Sequence, residues 1–274
     1  MRRTGFVLFA LVALLAVTFA PAFAATDGEP DGNRHPAVVL LLFEEGGVPS
    51  WRCSATLLSP TVVLIAGHCT GEPGEFSGTR VFAESDVQNG NNNYPFAGPN
   101  SVEAVAWYTH PAFTNAQFFL HDVGVVILKA PGVVLSMCGV LPTVNQFDAL
   151  KTERGLKDTT FTAVGYGLQE SFPDPAYWKT ANVKTHYVAT PRLLQINVPG
   201  YTGDFSMLLS NNHATGGTCF GDSGGPNSYG SGATETMIVA GVTSFGKNAN
   251  CAGTGGVFRM DRQNVLGFVN GFLD

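Results

Sequence analysis

Three side chains that could together perform nucleophilic catalysis lie on three separate segments of this 274-residue chain. Ser223 stands in the run Gly-Asp-Ser-Gly-Gly-Pro, His68 in the run Ala-Gly-His-Cys, and Asp122 at the head of the run Asp-Val-Gly-Val-Val-Ile-Leu. A serine hydroxyl is a poor nucleophile until a base accepts its proton and an acid holds that base in the right tautomer. The chain order His, Asp, Ser also differs from the orders found in subtilisins and α/β-hydrolases.

Together the three segments resemble the chymotrypsin/trypsin-like serine proteases, and the similarity extends from about Ala25 to the C-terminus. The resemblance implies that Ser223 attacks a peptide carbonyl, that His68 passes the proton to the leaving amine, and that Asp122 orients His68. It also implies that the backbone N–H groups of Gly221 and Ser223 bind the oxyanion. We therefore expect a serine endopeptidase that works through an acyl-enzyme.

Each motif has a more ordinary interpretation when it is taken alone. The Gly-Asp-Ser-Gly run could be a turn, His68 a structural histidine, and Asp122 a cap at the start of a strand. Two other functions also stay open: a non-catalytic binding module on a protease fold, because a fold does not fix function, and an esterase that uses the same triad. The occurrence of all three motifs in order favours the endopeptidase.

The resemblance also assigns the primary substrate pocket. Gly217 occupies the base position, where trypsin-type specificity needs an acid, Thr218 follows it, and Gly246 and Gly256 occupy the two wall positions. Ser244 matches the family's serine that hydrogen-bonds the catalytic acid and whose backbone pairs with substrate. Without a charge at the base, we expect a preference for large apolar or aromatic residues before the cut. The alternative is that a nearby loop supplies an acid.

Asp222 is expected to have a separate role. In the family, the corresponding aspartate forms a buried pair with the free amino group of the mature N-terminus, which orders the oxyanion hole. Here the matching amine would be that of Ala25, so signal peptidase itself would create the active form. Alternatively Asp222 is a loop acid, although an unpaired buried carboxylate is costly. Active secreted protein that begins at any residue other than Ala25 would exclude the pairing.

Residues 1–24 have the pattern of a secretory signal peptide. A basic start precedes an apolar stretch from Phe6 to Ala20 and an Ala-Phe-Ala cleavage site at 22–24. The apolar stretch is short for a membrane span, and an uncleaved anchor is the alternative interpretation. We expect a secreted protein with no membrane attachment after cleavage.

Charge and composition limit the partners. The net charge of −6 and the lack of a basic run argue against nucleic-acid binding. The histidines lack HExxH spacing and the cysteines lack CxxC pairs, so neither a metal nor another cofactor is expected. We expect a monomer whose partners are protein or peptide substrates and protein inhibitors.

Secretion makes disulfides plausible for the five cysteines. The resemblance implies the pairs Cys53–Cys69 and Cys219–Cys251, each of which would brace a segment that carries a catalytic residue. Cys138 is left over, and we expect a buried free thiol, with pairing to another molecule as the alternative.

The elements that must position these residues are short strands. Apolar, β-branched runs at 38–43, 61–66 and 123–128 alternate with turn signals, and the chain has 33 glycines and only 13% charged residues, which favours an all-β protein. The resemblance implies two antiparallel six-stranded β-barrels: one at 25–140, with His68 and Asp122, and one at 141–274, with Ser223. An apolar pattern after Asp261 predicts one C-terminal helix.

Overall fold

The computed structural model describes residues 25–152, 158–169 and 183–273. The predicted signal peptide lies outside these residues. The strands are β1 (Glu29–Pro30), β2 (Val38–Glu45), β3 (Val48–Leu57), β4 (Val62–Ile65), β5 (Gly78–Phe82), β6 (Ser101–Thr109), β7 (Gly124–Leu128), β8 (Phe161–Gly165), β9 (Tyr187–Ala189), β10 (Leu193–Val198), β11 (Gly203–Asn211), β12 (Pro226–Tyr229), β13 (Val239–Gly246) and β14 (Gly253–Arg259). The α-helices are α1 (Gly67–Thr70) and α2 (Gln263–Asn270).

Six strands close into an antiparallel barrel in the order β2-β3-β4-β7-β6-β5. The apolar run of β2 is buried along both of its faces. Leu41 and Phe43 pack in the barrel interior, while Leu40 and Leu42 pack with Tyr166 of the second half of the protein. Because alternate side chains of a strand point to opposite faces, this one run both fills the barrel and joins the two halves.

The second half is an eight-stranded antiparallel sheet in the order β1-β9-β8-β12-β13-β14-β11-β10. The prediction of a second closed six-stranded barrel is therefore wrong for the described part of the chain. A closed barrel would need a ladder between β8 and β10, but these strands are joined by one isolated bridge, between Thr160 and Arg192. Next to that bridge, Pro191 accepts a hydrogen bond from Phe161 but has no N–H with which to extend a ladder.

The N-terminal arm joins the second sheet. β1 pairs with β9, with Glu29 opposite Val188 and Pro30 opposite Tyr187. The predicted division into domains at residue 140 assigns this arm to the first barrel. Its pairing adds a strand to one edge of the second sheet, which is a further reason why that sheet differs from the expected barrel.

The predicted C-terminal helix is present as α2. It buries Val265, Leu266 and Val269, the apolar face expected from the sequence. Asp261 precedes the helix, and its carboxylate accepts hydrogen bonds from the buried side chain of Arg259 and from the backbone N–H of Phe147. The acid therefore ties the start of the helix to β14.

Both predicted disulfides are present. Cys53 of β3 pairs with Cys69 of α1, and Cys219 pairs with Cys251. A bridge that closes a loop of about 15 residues is worth about 3 kcal/mol in the chain-entropy model. Cys138 is a free thiol, but it is half-buried and not buried as expected.

Candidate active site

His68 is brought to the site by a sharp turn at the end of a barrel strand. It lies in α1, which begins two residues after the end of β4. A side chain at Gly67 would come within 3.1 Å of the backbone nitrogen of Val123, so this glycine lets α1 approach the start of β7 closely. The disulfide of Cys69 fixes the same turn to β3.

The close approach aligns His68 with Asp122. The Nδ1 atom of His68 lies 2.9 Å from Oδ2 of Asp122, and the backbone N–H of His68 donates to Oδ1 at 2.8 Å. Asp122 has no solvent exposure, and its Oδ2 also accepts a hydrogen bond from the Ser244 hydroxyl. Three donors therefore hold one buried carboxylate in a single orientation.

We expect the pH dependence of kcat/KM to follow His68. Burial of the imidazole opposes its protonation, but the carboxylate of Asp122 outweighs burial and raises the pKa of His68 above its ordinary value of 6.5. Only the neutral imidazole can accept the proton of a serine hydroxyl, so kcat/KM for a peptide substrate should rise with pH through a midpoint above 6.5. Initial rates between about pH 5 and 9 measure it, and a lower midpoint would contradict this geometry.

The segment that carries Ser223 is a tight turn. Gly221 and Gly224 have φ angles of +98° and +78°, a region that side chains with a Cβ rarely adopt. A side chain at Gly224 would also lie 2.7 Å from the carbonyl oxygen of Ser54. Ser223 is half-buried and lines the same cavity as His68, with a volume of about 600 Å³.

Asp222 is buried behind this turn. Its Oδ1 accepts the N–H of Gly167 at 2.7 Å, and its Oδ2 accepts the N–H of Cys219 at 2.9 Å. Burial raises the pKa of Asp222 to about 6, with the two N–H groups and the positive charge of Arg52 acting in the opposite direction. In the unprocessed chain the nitrogen of Ala25 is an amide and not a free amine. The Ala25 carbonyl accepts a hydrogen bond from the N–H of Gly28. The pairing of an Ala25 amine with Asp222 therefore stays a prediction.

The cavity brings together some of the predicted substrate-binding residues and adds others. Thr218, Ser244 and Gly246 line it. Four aromatic side chains complete the lining and were not predicted: two are adjacent to predicted site residues, and two come from distant segments without a catalytic motif. These side chains are Trp51, Phe118, Phe220 and Phe245.

Two predicted pocket residues lie elsewhere. Gly217 is packed against Asn211, since a side chain on Gly217 would approach the Cγ of Asn211 to 2.2 Å. Gly256 pairs with Phe245, and the ring of Phe245 occupies the space next to it. The residue opposite Gly246 is Gly255, and neither Gly255 nor Gly256 is among the residues that line the cavity.

One group of possible metal ligands occurs among the described residues, and it consists of Cys53, His68 and Cys69. The two sulfur atoms are joined in a disulfide, so neither is a thiolate that could bind a metal. This group is therefore part of the brace around His68.

A closed β-barrel beside a second antiparallel sheet, with a histidine on a buried aspartate and a serine on the same cavity, defines a serine hydrolase of chymotrypsin-like architecture. The family model for trypsin matches residues 26–263. The chain belongs to the trypsin family and is a serine-type endopeptidase.

The chain is also similar to one curated relative and to one solved structure. Brachyurin from Leptuca pugilator is 25% identical over 210 residues, which cover 73% of this chain and 77% of the relative. The solved structure of HL collagenase superimposes with a TM-score of 0.66 over 90% of this chain and 98% of the collagenase chain. Since its sequence identity is 18%, that likeness shows the fold.

The helices of the described ranges are too short or too polar to span a membrane. None of them is long and apolar enough to cross a bilayer.

Proposed function

We propose that the protein is a secreted endopeptidase in which Ser223, His68 and Asp122 form the catalytic triad. The observation that carries the proposal is the pair of half-buried His68 and buried Asp122, whose imidazole opens on the cavity that Ser223 lines. Ser223 attacks the scissile carbonyl while His68 takes its proton, and His68 then gives the proton to the leaving amine. Asp122 holds the tautomer of His68 and stabilises the imidazolium that forms.

The oxyanion of the tetrahedral intermediate is assigned to the N–H groups of Gly221 and Ser223. The positive φ of Gly221 supports this assignment, because it lets nearby N–H groups in the turn converge. Donors fixed in place before the reaction stabilise the developing charge without reorganisation, and the loss of one costs about 3–4 kcal/mol.

The cavity favours a large apolar side chain before the cut. Of the residues lining it in the described ranges, Lys247 carries a full charge and none is a carboxylate. A substrate arginine would enter without a counter-ion, whereas an aromatic ring would contact Phe118, Phe220 and Phe245. The uncharged residue at the base position led to the same expected preference, although Gly217 is not among the residues that line the cavity.

The proposal is tested with two peptide anilides that differ in one residue, Phe or Arg, directly before the scissile bond. We expect the Phe substrate to have the higher kcat/KM by about tenfold or more, since Arg must be desolvated without a partner. The same assays on Ser223→Ala give the background. Faster cleavage after Arg would reject the apolar pocket.

Labelling of the wild type by a fluorophosphonate, and its loss in Ser223→Ala, would exclude a non-catalytic binding module. Ester turnover without peptide turnover would instead favour an esterase. Mass analysis of the protein from the culture medium tests secretion, because a secreted form should lack residues 1–24.

A further inference from the structure

Ser54 is a buried polar residue that joins the barrel to the segment carrying the nucleophile. It lies in β3, directly after Cys53, and has no solvent exposure. Its neighbours across the boundary are in the second half of the protein: the turn at 221–225 and the end of β8. A polar side chain in such a place needs hydrogen-bond partners.

The backbone N–H and the hydroxyl of Ser54 both donate hydrogen bonds to this turn. Its backbone N–H donates to the carbonyl oxygen of Ser223 at 3.0 Å. Its hydroxyl donates to the carbonyl oxygen of Gly221 at 2.8 Å and accepts the backbone N–H of Tyr166 at 2.9 Å. One residue therefore holds the carbonyl groups of Gly221 and Ser223, the two residues whose N–H groups are assigned to the oxyanion.

The surrounding backbone packs closely around the Ser54 side chain. A side chain at Gly165 would lie 2.9 Å from the Ser54 hydroxyl, and one at Gly225 would lie 3.0 Å from the Ser54 Cβ. Glycines on both sides let the two chain segments close around the hydroxyl, which fixes its position.

We propose that Ser54 is a positioning residue for the oxyanion hole, an inference that rests on the proposed function. Ser54 does not contact the reacting atoms. The Gly221 carbonyl belongs to the peptide unit that lies between the two units carrying the N–H groups of Gly221 and Ser223, and the Ser223 carbonyl belongs to the unit that follows them. Holding these two carbonyls therefore limits the rotation of both N–H groups. The N–H of Ser54 supplies one anchor from the backbone, and its hydroxyl supplies the second anchor from the side chain.

The proposal predicts an effect on the transition state more than on substrate binding. The donors must point at the place where the oxyanion forms, and misdirected donors weaken the transition state selectively. Loss of the hydroxyl frees the Gly221 carbonyl and leaves the N–H of Tyr166 without its acceptor. Because the donors are displaced and not removed, the loss of kcat should be smaller than the about 10²–10³-fold loss caused by deleting a donor.

The test is Ser54→Ala in the full chain. We expect kcat for a Phe peptide anilide to fall by about 10- to 100-fold while KM changes by less than about threefold. Inhibition by a peptide aldehyde, which forms a tetrahedral adduct with the nucleophile, should weaken in parallel with kcat. Ser54→Gly removes the same hydroxyl and carries the same expectation if the alanine variant does not fold.

Thr79→Val is the matched control, because it removes another buried hydroxyl of the same barrel. The Thr79 hydroxyl donates to the carbonyl of Leu42, away from the nucleophile turn. Its kcat should stay within about twofold of the wild type, even if its stability falls. Equal losses of kcat in the two variants, or a kcat of Ser54→Ala within twofold of the wild type, would overturn the positioning role. A wild type without Ser223-dependent hydrolysis would instead reject the proposed function.

Discussion

Asp122→Asn is expected to lower kcat for peptide hydrolysis by about 10⁴-fold, the loss that the Ser-His-Asp template assigns to an acid that can no longer hold the right tautomer. The substitution keeps the size of the side chain, so unfolding by urea should change little in comparison. The measurement is kcat for a Phe peptide anilide, with the concentration of active sites determined by fluorophosphonate titration.

The hydrogen-bond donors around Asp122 explain why the amide cannot substitute for the carboxylate. Oδ1 accepts the backbone N–H of His68, and Oδ2 faces Nδ1 of His68 and the hydroxyl of Ser244. An amide must place its NH₂ group at one of these two positions. At the Oδ1 position the NH₂ group would face the backbone N–H of His68, which can only donate. At the Oδ2 position it would face the imidazole of His68 and the hydroxyl of Ser244, both of which can become acceptors. The Asp122→Asn variant therefore selects the tautomer of His68 whose Nε2 is protonated, and that tautomer cannot take the proton of Ser223.

Ser244→Ala separates the tautomer effect from a general loosening of the site. This control removes one hydrogen bond from the Asp122 carboxylate but leaves its charge and its contacts with His68 intact. Its kcat should fall by about tenfold at most, in line with about 1 kcal/mol for one hydrogen bond. If Asp122→Asn lost no more activity than Ser244→Ala, the assigned role of Asp122 would be wrong.

The candidate triad could be predicted from the sequence because each member lies beside a short local signal. A glycine precedes His68, an apolar strand follows Asp122, and glycines flank Ser223. These are the features that a tight approach, a buried strand and a strained turn require. The contacts of Ser54 could not be predicted, because they depend on how two distant segments meet.

The register at the pocket wall could not be predicted from the sequence, for a physical reason. Gly255 and Gly256 are adjacent and carry no side chains, so the sequence contains no apolar alternation that would set their register. The pairing of β13 with β14 also shifts between Thr243 and Phe245, which moves the strand by one residue. The shift places Gly255, and not Thr254, opposite Gly246, so the sequence alone does not determine which residue of β14 faces that wall.

Neither the open second sheet nor the aromatic lining of the cavity could be predicted from the sequence. Short strands with turn signals are compatible with both a closed barrel and an open sheet, and only the pairing of distant strands decides between them. Trp51 lies in β3 and Phe118 in a loop, and neither segment carries a catalytic motif, whereas Phe220 directly precedes the motif of Ser223. Large aromatic residues are common on such segments, so their type alone does not indicate a substrate pocket.

Of the variants named here, Arg259→Met is expected to lose the most stability, about 3–5 kcal/mol in the free energy of unfolding. The guanidinium has no solvent exposure and forms two hydrogen bonds with Asp261, from Nε at 2.9 Å and from Nη2 at 2.7 Å. It also donates to Asp148 at 2.9 Å and to Asn197 at 2.6 Å. Although burial opposes ionisation, Arg259 helps to lower the pKa of Asp148 to about 2.

The loss arises because the substitution leaves the buried carboxylate of Asp261 without a cation. Asp261 also accepts the backbone N–H of Phe147, so the charge cannot simply turn towards solvent. Urea unfolding followed by tryptophan fluorescence measures the effect as a lower midpoint with an unchanged slope.

Arg262→Met is the matched control, because Arg262 donates to the same Asp148 at 3.0 Å from a more exposed position. Pairs that stay in contact with water contribute about 1 kcal/mol or less, so this variant should unfold near the wild-type midpoint. Adding Asp261→Asn to Arg259→Met should restore part of the lost stability, because the neutral amide removes the uncompensated charge and still offers an oxygen to Phe147. Equal losses in the two arginine variants would mean that burial of the Arg259–Asp261 pair does not determine its contribution.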